Sequence, residues 1–208
     1  MTSRREWLTG AAALLLVRRG LAEGSIETGV RTFFGEVRIN GKAARRGMSV
    51  GAGDTISTAD GAQVVFVVNR DAFLVRKESE ASVLKTGLRI VTGAVLSVFA
   101  PGGRRQIETG TAVIGIRGTA VYVEAQADRS YVCTCYGEAV LEPRGDPGSR
   151  ETVRTTHHEQ PRYIMAKGAP QMMMRAPVVN HTDAELDMLE ALVGRKPPFA
   201  GKGYKPYY

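Results

Sequence analysis

The sequence predicts a single all-β domain over residues 30–156, a sandwich or roll of short strands, with one short α-helix far downstream. Three observations lead there. Extended runs recur at short intervals, each bounded by Gly, Asn, Asp or Pro, which is how a chain of strands and tight turns reads. Within residues 111–141, TAVIGIRGTAVYVEAQADRSYVCTCYGEAVL, Thr119, Val121, Val123 and Ala125 alternate with Ala120, Tyr122, Glu124 and Gln126. A strand there buries one face and leaves the other mixed; the polar break at residues 127–130 and a second extended run over 131–142 complete a hairpin. Residues 62–68 are almost continuously apolar around VVFVV, which suits a strand covered on both sides.

The other elements follow in order. Residues 31–40 carry the alternating Val37 and Ile39 and close on Asn40-Gly41, a strong turn dipeptide. Lys42, Arg45 and Arg46 before Gly47 read as a loop. Gly51, Gly53 and Asp54 set a tight turn, and Asp54 is expected to bond the backbone there rather than to act in catalysis. Asn69, Arg70 and Asp71 turn the chain so that residues 72–76 pair back on 62–68. Residues 83–99 read as extended pieces broken at Thr86-Gly87 and at Thr92-Gly93, and residues 101–105 as a loop leading through 107–116 to the central stretch.

Beyond Leu141 the breakers Pro143, Gly145, Asp146, Pro147 and Gly148 form a loop, with one further strand near residues 152–156. Residues 157–208 are expected to be an irregular C-terminal extension, because prolines and Met165, Met172, Met173 and Met174 follow no clear period. The exception is a helix at about residues 183–193. Thr182 and Glu185 make a capping box, Leu186, Leu189, Leu192 and Val193 line one face, and Gly194 stands where a C-cap belongs. Pro197 and Pro198 prevent continuation.

The paired glycines Gly115 and Gly118 ahead of GTAVYVE, a short polar turn and then GEAVLE resemble the FecR domain, as does VGAGDTISTADGAQVVFVV at residues 50–68. The similar region covers roughly residues 30–143; VCTCYG lies outside the family's general pattern. The resemblance implies a binding or sensing module that acts without catalysis. FecR proteins of the best-known type pass an outer-membrane signal to a cytoplasmic sigma factor, through a cytoplasmic N-terminal segment and a transmembrane helix. Here the N-terminus reads differently, so the expectation is a unit that binds a periplasmic or outer-membrane protein or an envelope ligand.

Ser3, Arg4, Arg5, Glu6, Trp7 and Leu8 resemble a twin-arginine export signal, with Arg4 and Arg5 as its recognition pair. The apolar run TGAAALLLV and a small-residue exit at Gly20, Leu21 and Ala22 follow. That run is too short to span a bilayer, which takes about 20 apolar residues, and no later segment is long and apolar enough. Residues 1–22 are therefore expected to be a signal peptide, and the mature chain to lie in the periplasm without a transmembrane segment. Four arginines against one glutamate in that segment account for +3 of the net charge of +7. The remaining basic residues are scattered pairs such as Arg104 with Arg105, not the aromatic-interleaved stripe that nucleic acid requires.

G-x-S-x-G, G-x-x-x-x-G-K-[ST] and H-E-x-x-H are all absent, so no catalytic residue is assigned. The chemistry that stands out is Cys133 and Cys135. Two apart on a strand they point to one side, with Cα atoms about 6.6 Å apart, at the upper limit for a disulfide. One Cu or Zn ion would accept both sulfurs, with His157 or His158 from a neighbouring strand completing the site. Adjacent strand residues point oppositely, so only one of these histidines joins unless the backbone turns. The competing reading is packing: with unbroken alternation the cysteines share the side of Ala139 and Leu141 and fill a core. A thiol-redox pair is the third. His181 is expected to precede the helix cap rather than to ligate, and the methionines to pack rather than to bind copper.

Overall fold

The central hairpin forms over the predicted stretch, and the rest of the chain is arranged around it. The computed structural model describes residues 25–203; the predicted signal peptide, with Arg4 and Arg5, lies outside them. The strands are β1 (Gly29–Phe34), β2 (Val37–Ile39), β3 (Lys42–Ala43), β4 (Thr55–Thr58), β5 (Gln63–Val68), β6 (Asp71–Val75), β7 (Glu80–Leu84), β8 (Gly87–Val98), β9 (Arg105–Glu108), β10 (Ala112–Ala125), β11 (Arg129–Pro143), β12 (Glu151–Thr155), β13 (Arg162–Met165) and β14 (Met173–Arg175). One α-helix, α1 (Asp183–Leu192), follows. The fold is all-β, as the turn-bounded runs predict.

All fourteen strands belong to one hydrogen-bonded sheet. β8 is its hub, antiparallel to β6, β7 and β10 and parallel to β9. The predicted hairpin β5–β6 turns on Asn69; at Asn40 the chain also turns back, and Lys42 and Ala43, expected in a loop, form the short strand β3 paired with β2. Both asparagines have positive φ, which asparagine tolerates better than most residues. β8 is a single strand running through Thr92-Gly93, where the sequence predicts a break. Gly93 (φ +85°) lies so close to Ser79 that a Cβ would sit 2.1 Å from its Oγ; glycine lets the strand bend there while its ladder to β10 continues.

The sheet has two buried sides. Its inner side rolls around an apolar core that includes Val64, Phe66, Ile90, Ile107, Ile114, Ile116, Val121, Val123, Ala139 and Leu141. The outer side gathers Val65, Val67, Leu74, Leu96, Tyr122, Tyr131, Cys133, Cys135 and Tyr136 under Leu186, Leu189, Val193 and Phe199. β5 thus buries both faces, as its continuous apolar run predicts. β10 departs from its predicted mixed face, because Ala120 and Tyr122 are covered by the outer layer.

A bulge in the central hairpin decides which core the cysteines enter. Arg117 pairs with Glu138, Ala120 with Tyr136 and Val121 with Thr134, so the register shifts twice. Cys135 is the extra residue on β11, and it and Tyr136 both lie on the outer side. Gly137 (φ +91°) makes the shift sterically accessible. The alternation expected to put Cys133 and Cys135 with Ala139 and Leu141 is broken here: those two residues belong to the inner core and the cysteines to the outer layer.

The C-terminal part is more regular than predicted. β12 pairs with residues 137–141 of β11 and β13 with residues 129–132, while β14 extends the sheet from β13. β11 spans 15 residues, so β12, paired only with residues 137–141, leaves most of its edge open, and the following chain pairs with residues 129–132. α1 starts at the predicted capping box, with Thr182 and Glu185 bonding reciprocally, and ends at Leu192 with Gly194 at φ +70° just beyond. A helix of ten residues is marginal alone. Burial of Leu186, Leu189 and Val193 against the outer side stabilises it by about 1.5–3 kcal/mol per side chain.

Candidate metal centre

The gap between the two partners of β11 is where the cysteines sit. Between the pairings with β12 and β13, residues 133–136 face the connecting turn, whose His158 N–H donates to the Cys135 carbonyl at 2.9 Å. His158 has φ +62°, a left-handed conformation costing about 1–2 kcal/mol outside glycine. That twist removes the opposition expected of neighbouring strand residues. His157 Nε2 lies 2.8 Å and His158 Nε2 3.0 Å from the two oxygens of one carboxylate, that of Asp183.

Four side chains converge: Cys133, Cys135, His158 and His181, with one ligand atom of each within 4.8 Å of all the others. Cys133 Sγ is 3.5 Å from His158 Nδ1, and His158 Nδ1 is 3.0 Å from His181 Nε2. Tetrahedral zinc with two sulfurs and two nitrogens would set ligand atoms about 3.3–3.8 Å apart. Modest adjustment therefore suffices. Both cysteines are free, and Cys135 directs its thiol at the Cys133 carbonyl over 3.7 Å.

Each of the two imidazoles has its outer nitrogen engaged by an acceptor. The Val179 carbonyl lies 2.6 Å from His181 Nδ1 and the Asp183 carboxylate 3.0 Å from His158 Nε2, so both of those nitrogens carry hydrogen. The inner nitrogens, His158 Nδ1 and His181 Nε2, then present lone pairs to each other and to the sulfurs. Such an arrangement calls for a cation, a proton or a metal, between them. Burial pushes the Cys133 thiol up, but Cys135 and the two imidazoles, which donate to the sulfur when the cation among them is a proton, outweigh it and hold the thiol well below the ordinary cysteine range. Burial and then the Cys133 sulfur push Cys135 well above that range. For His158 burial works against charge, while Cys133 and Asp183 raise its pKa above the ordinary histidine value.

Aromatic residues fix the surroundings. Tyr122 stacks on His181 with ring centres 4.6 Å apart. The Tyr131 hydroxyl donates to the Pro177 carbonyl at 2.9 Å and accepts from the Val179 N–H, holding the approach to His181. Phe199 meets the His157 ring edge-on at 4.7 Å.

Of the residues singled out from sequence, Cys133, Cys135 and His158 come together. His157 sits beside them on Asp183, in a second group with His158. His181, expected to serve only the helix start, is the fourth member, and Asp183, the first residue of α1, braces both other histidines. The only sequence signal for His181 is its place one residue before the capping box, whose reciprocal bonds fix the backbone at Thr182; its ring is held by tertiary contacts with Val179 and Tyr122. Met173 packs against the inner core as expected, whereas Met174 is exposed.

No protein-family model matches the sequence, and no curated protein matches it. Two crystal structures of a candidate anti-sigma factor from Parabacteroides distasonis are similar in fold, each with a TM-score of 0.49 and with 10% and 11% sequence identity. The superposition covers 59% of this chain and spans 58% of that one.

Proposed function

We propose that the protein is an exported, non-catalytic binding and sensing module, FecR-like in its central strands and built around a four-coordinate zinc site. Cys133 Sγ, Cys135 Sγ, His158 Nδ1 and His181 Nε2 are the ligands. The observation that carries this reading is the pair of inward imidazole nitrogens 3.0 Å apart, each with its outer nitrogen already held by Val179 or Asp183. Metal-binding histidines are oriented in this way, through an acceptor on the far nitrogen.

Charge selects the ion. Two thiolates and Zn²⁺ sum to zero, whereas Cu⁺ would leave a net negative charge among buried aromatic rings, and burying an unbalanced charge costs several kcal/mol. All four ligand residues are at most 1% exposed, so the site is closed, the form of a structural centre rather than one that activates water. The same burial denies the cysteines to soluble thiols and disfavours a redox-exchange role. The partner, a periplasmic or outer-membrane protein or an envelope ligand, and the periplasmic location rest on the resemblance and on Arg4 and Arg5.

Full-length protein purified under reducing conditions is expected to contain one equivalent of zinc, and the Cys133→Ser/Cys135→Ser variant none. Protein that contains no metal, takes up neither zinc nor cobalt when reduced, and is as stable in the double-serine form would return the cysteines to packing. Export is tested separately. Arg4→Lys/Arg5→Lys is expected to leave the precursor in the cytoplasm, because the guanidinium fork differs from an ammonium group, and unimpaired export would remove the twin-arginine reading alone.

A further inference from the structure

We infer that the C-terminal segment spanning residues 180–199 is a closure over the metal centre, so that zinc enters and leaves only when this segment lifts from the sheet. The inference rests on the zinc reading above. It goes further by assigning the segment a gating role.

Two separate parts of the chain supply the site. Cys133, Cys135 and His158 are held by the sheet and its adjoining turn and form a three-ligand cup. His181 and the bracing Asp183 belong instead to the helical segment, and Phe199 covers the histidines from that segment's far end. One element therefore provides the last ligand, the brace and the cover. Among these residues Asp183 alone reaches solvent, its side chain 31% exposed, while the four ligands are buried. An ion has no room to pass unless something moves.

The segment is attached through side-chain contacts that can part without disturbing a strand, among them the Asn180 amide to Glu124 at 2.7 Å and the stack of Tyr122 on His181. Arg76 on the sheet side bonds the Asn180 carbonyl at 2.7 Å and pairs with Glu185 at 2.9 Å. Leu186, Leu189 and Val193 dock on the outer face. The Tyr136 hydroxyl donates to Glu190, and Arg195 reaches the Arg70 carbonyl at 2.8 Å. The backbone hydrogen bonds of α1 are its own, so it can lift without breaking a ladder, unlike any strand of the sheet. Elements of this kind open locally at far lower cost than global unfolding, and their opening sets release rates in gated sites.

The test is the kinetics of zinc transfer from the full-length zinc-loaded protein to a chromogenic chelator. Gating predicts a release rate that reaches a plateau as chelator concentration rises, because opening becomes limiting. Leu189→Ala and Arg76→Met, neither of them a ligand, should raise the plateau by about tenfold or more, since truncating a buried leucine weakens docking substantially. Arg76→Met decides the matter should Leu189→Ala fail to fold. A rate that climbs linearly with chelator and is the same in Arg76→Met as in the wild type would overturn the gate while leaving the zinc site intact, with the chelator reaching the ion past Asp183. Absence of bound zinc in the wild type would instead defeat the zinc reading and the gate with it.

Discussion

The two buried sides of the sheet are built on different principles. The inner core draws apolar side chains from nearly every strand, Phe66 stacking on Phe73 at 5.0 Å and Phe73 meeting Phe99 edge-on. Its stability comes from area, which is spread over many residues and depends weakly on any one direction. The outer layer is a single helix on a few aliphatic contacts, surrounded by directional ones: Arg76 to Glu185, Tyr136 to Glu190, His157 and His158 to Asp183. Burial and then the Glu190 carboxylate push the Tyr136 hydroxyl well above the ordinary tyrosine range, so it stays a donor. A layer held by few directional contacts is the one whose state a bound ion can control, while the inner core supplies the rigid floor.

The largest effect expected from testing this comparison is on the floor. Phe66 is fully buried, and Phe66→Ala should lower the unfolding free energy by about 3–5 kcal/mol. Urea denaturation should give the same decrement with zinc present and with zinc chelated. A decrement that changes with zinc would mean that the two layers are not energetically separable.

Next in size is a change at the joint between the layers. Gly137 has φ +91°, and a Cβ there would meet Thr119 Cβ and Oγ1 at 2.7 Å. Gly137→Ala should therefore cost at least about 1–2 kcal/mol. Its distinctive consequence concerns zinc: the bulge turns Cys135 to the outer side, so zinc affinity should fall along with stability. Competition with a chelator of known affinity measures this, and an unchanged affinity in a destabilised protein would show that the bulge does not set the site.

The same comparison explains what was legible in the sequence. The inner core was, because a strand's period of two marks it directly: Val121, Val123 and Ala125 point where alternation puts them. α1 was as well, since Thr182, Glu185 and Gly194 are local signals. The site was legible only in part. Cys133, Cys135 and His158 are conspicuous, but the face they occupy depends on a register shift that spacing alone does not reveal. His181 and Asp183 arrive from a segment whose docking is a tertiary event. β13 and β14 escaped notice for a related reason, as their pairing is dictated by the open edge of a long β11 rather than by their own composition.

The smallest expected effect separates the layers by pH rather than by zinc. Glu108, on β9 at the rim of the inner core, accepts from Arg89 at 3.0 Å and from Arg144 at 3.1 Å. Burial would raise its pKa, but the arginines and Gln106 outweigh it and hold the carboxyl below its ordinary value of 4.5. A carboxyl whose pKa is lower folded than unfolded favours folding above the unfolded value, and that contribution disappears as pH falls through the folded value. Glu108→Gln should thus be less stable than the wild type near neutral pH, by under about 1 kcal/mol because Arg89 and Arg144 are largely exposed. The difference should shrink as the pH is lowered below about 4. Phe66→Ala is the control, since an apolar truncation has no proton to exchange and its decrement should stay level over the same range. If the Glu108→Gln decrement also stayed level, Glu108 would act at the rim through packing and neutral hydrogen bonds rather than through its charge.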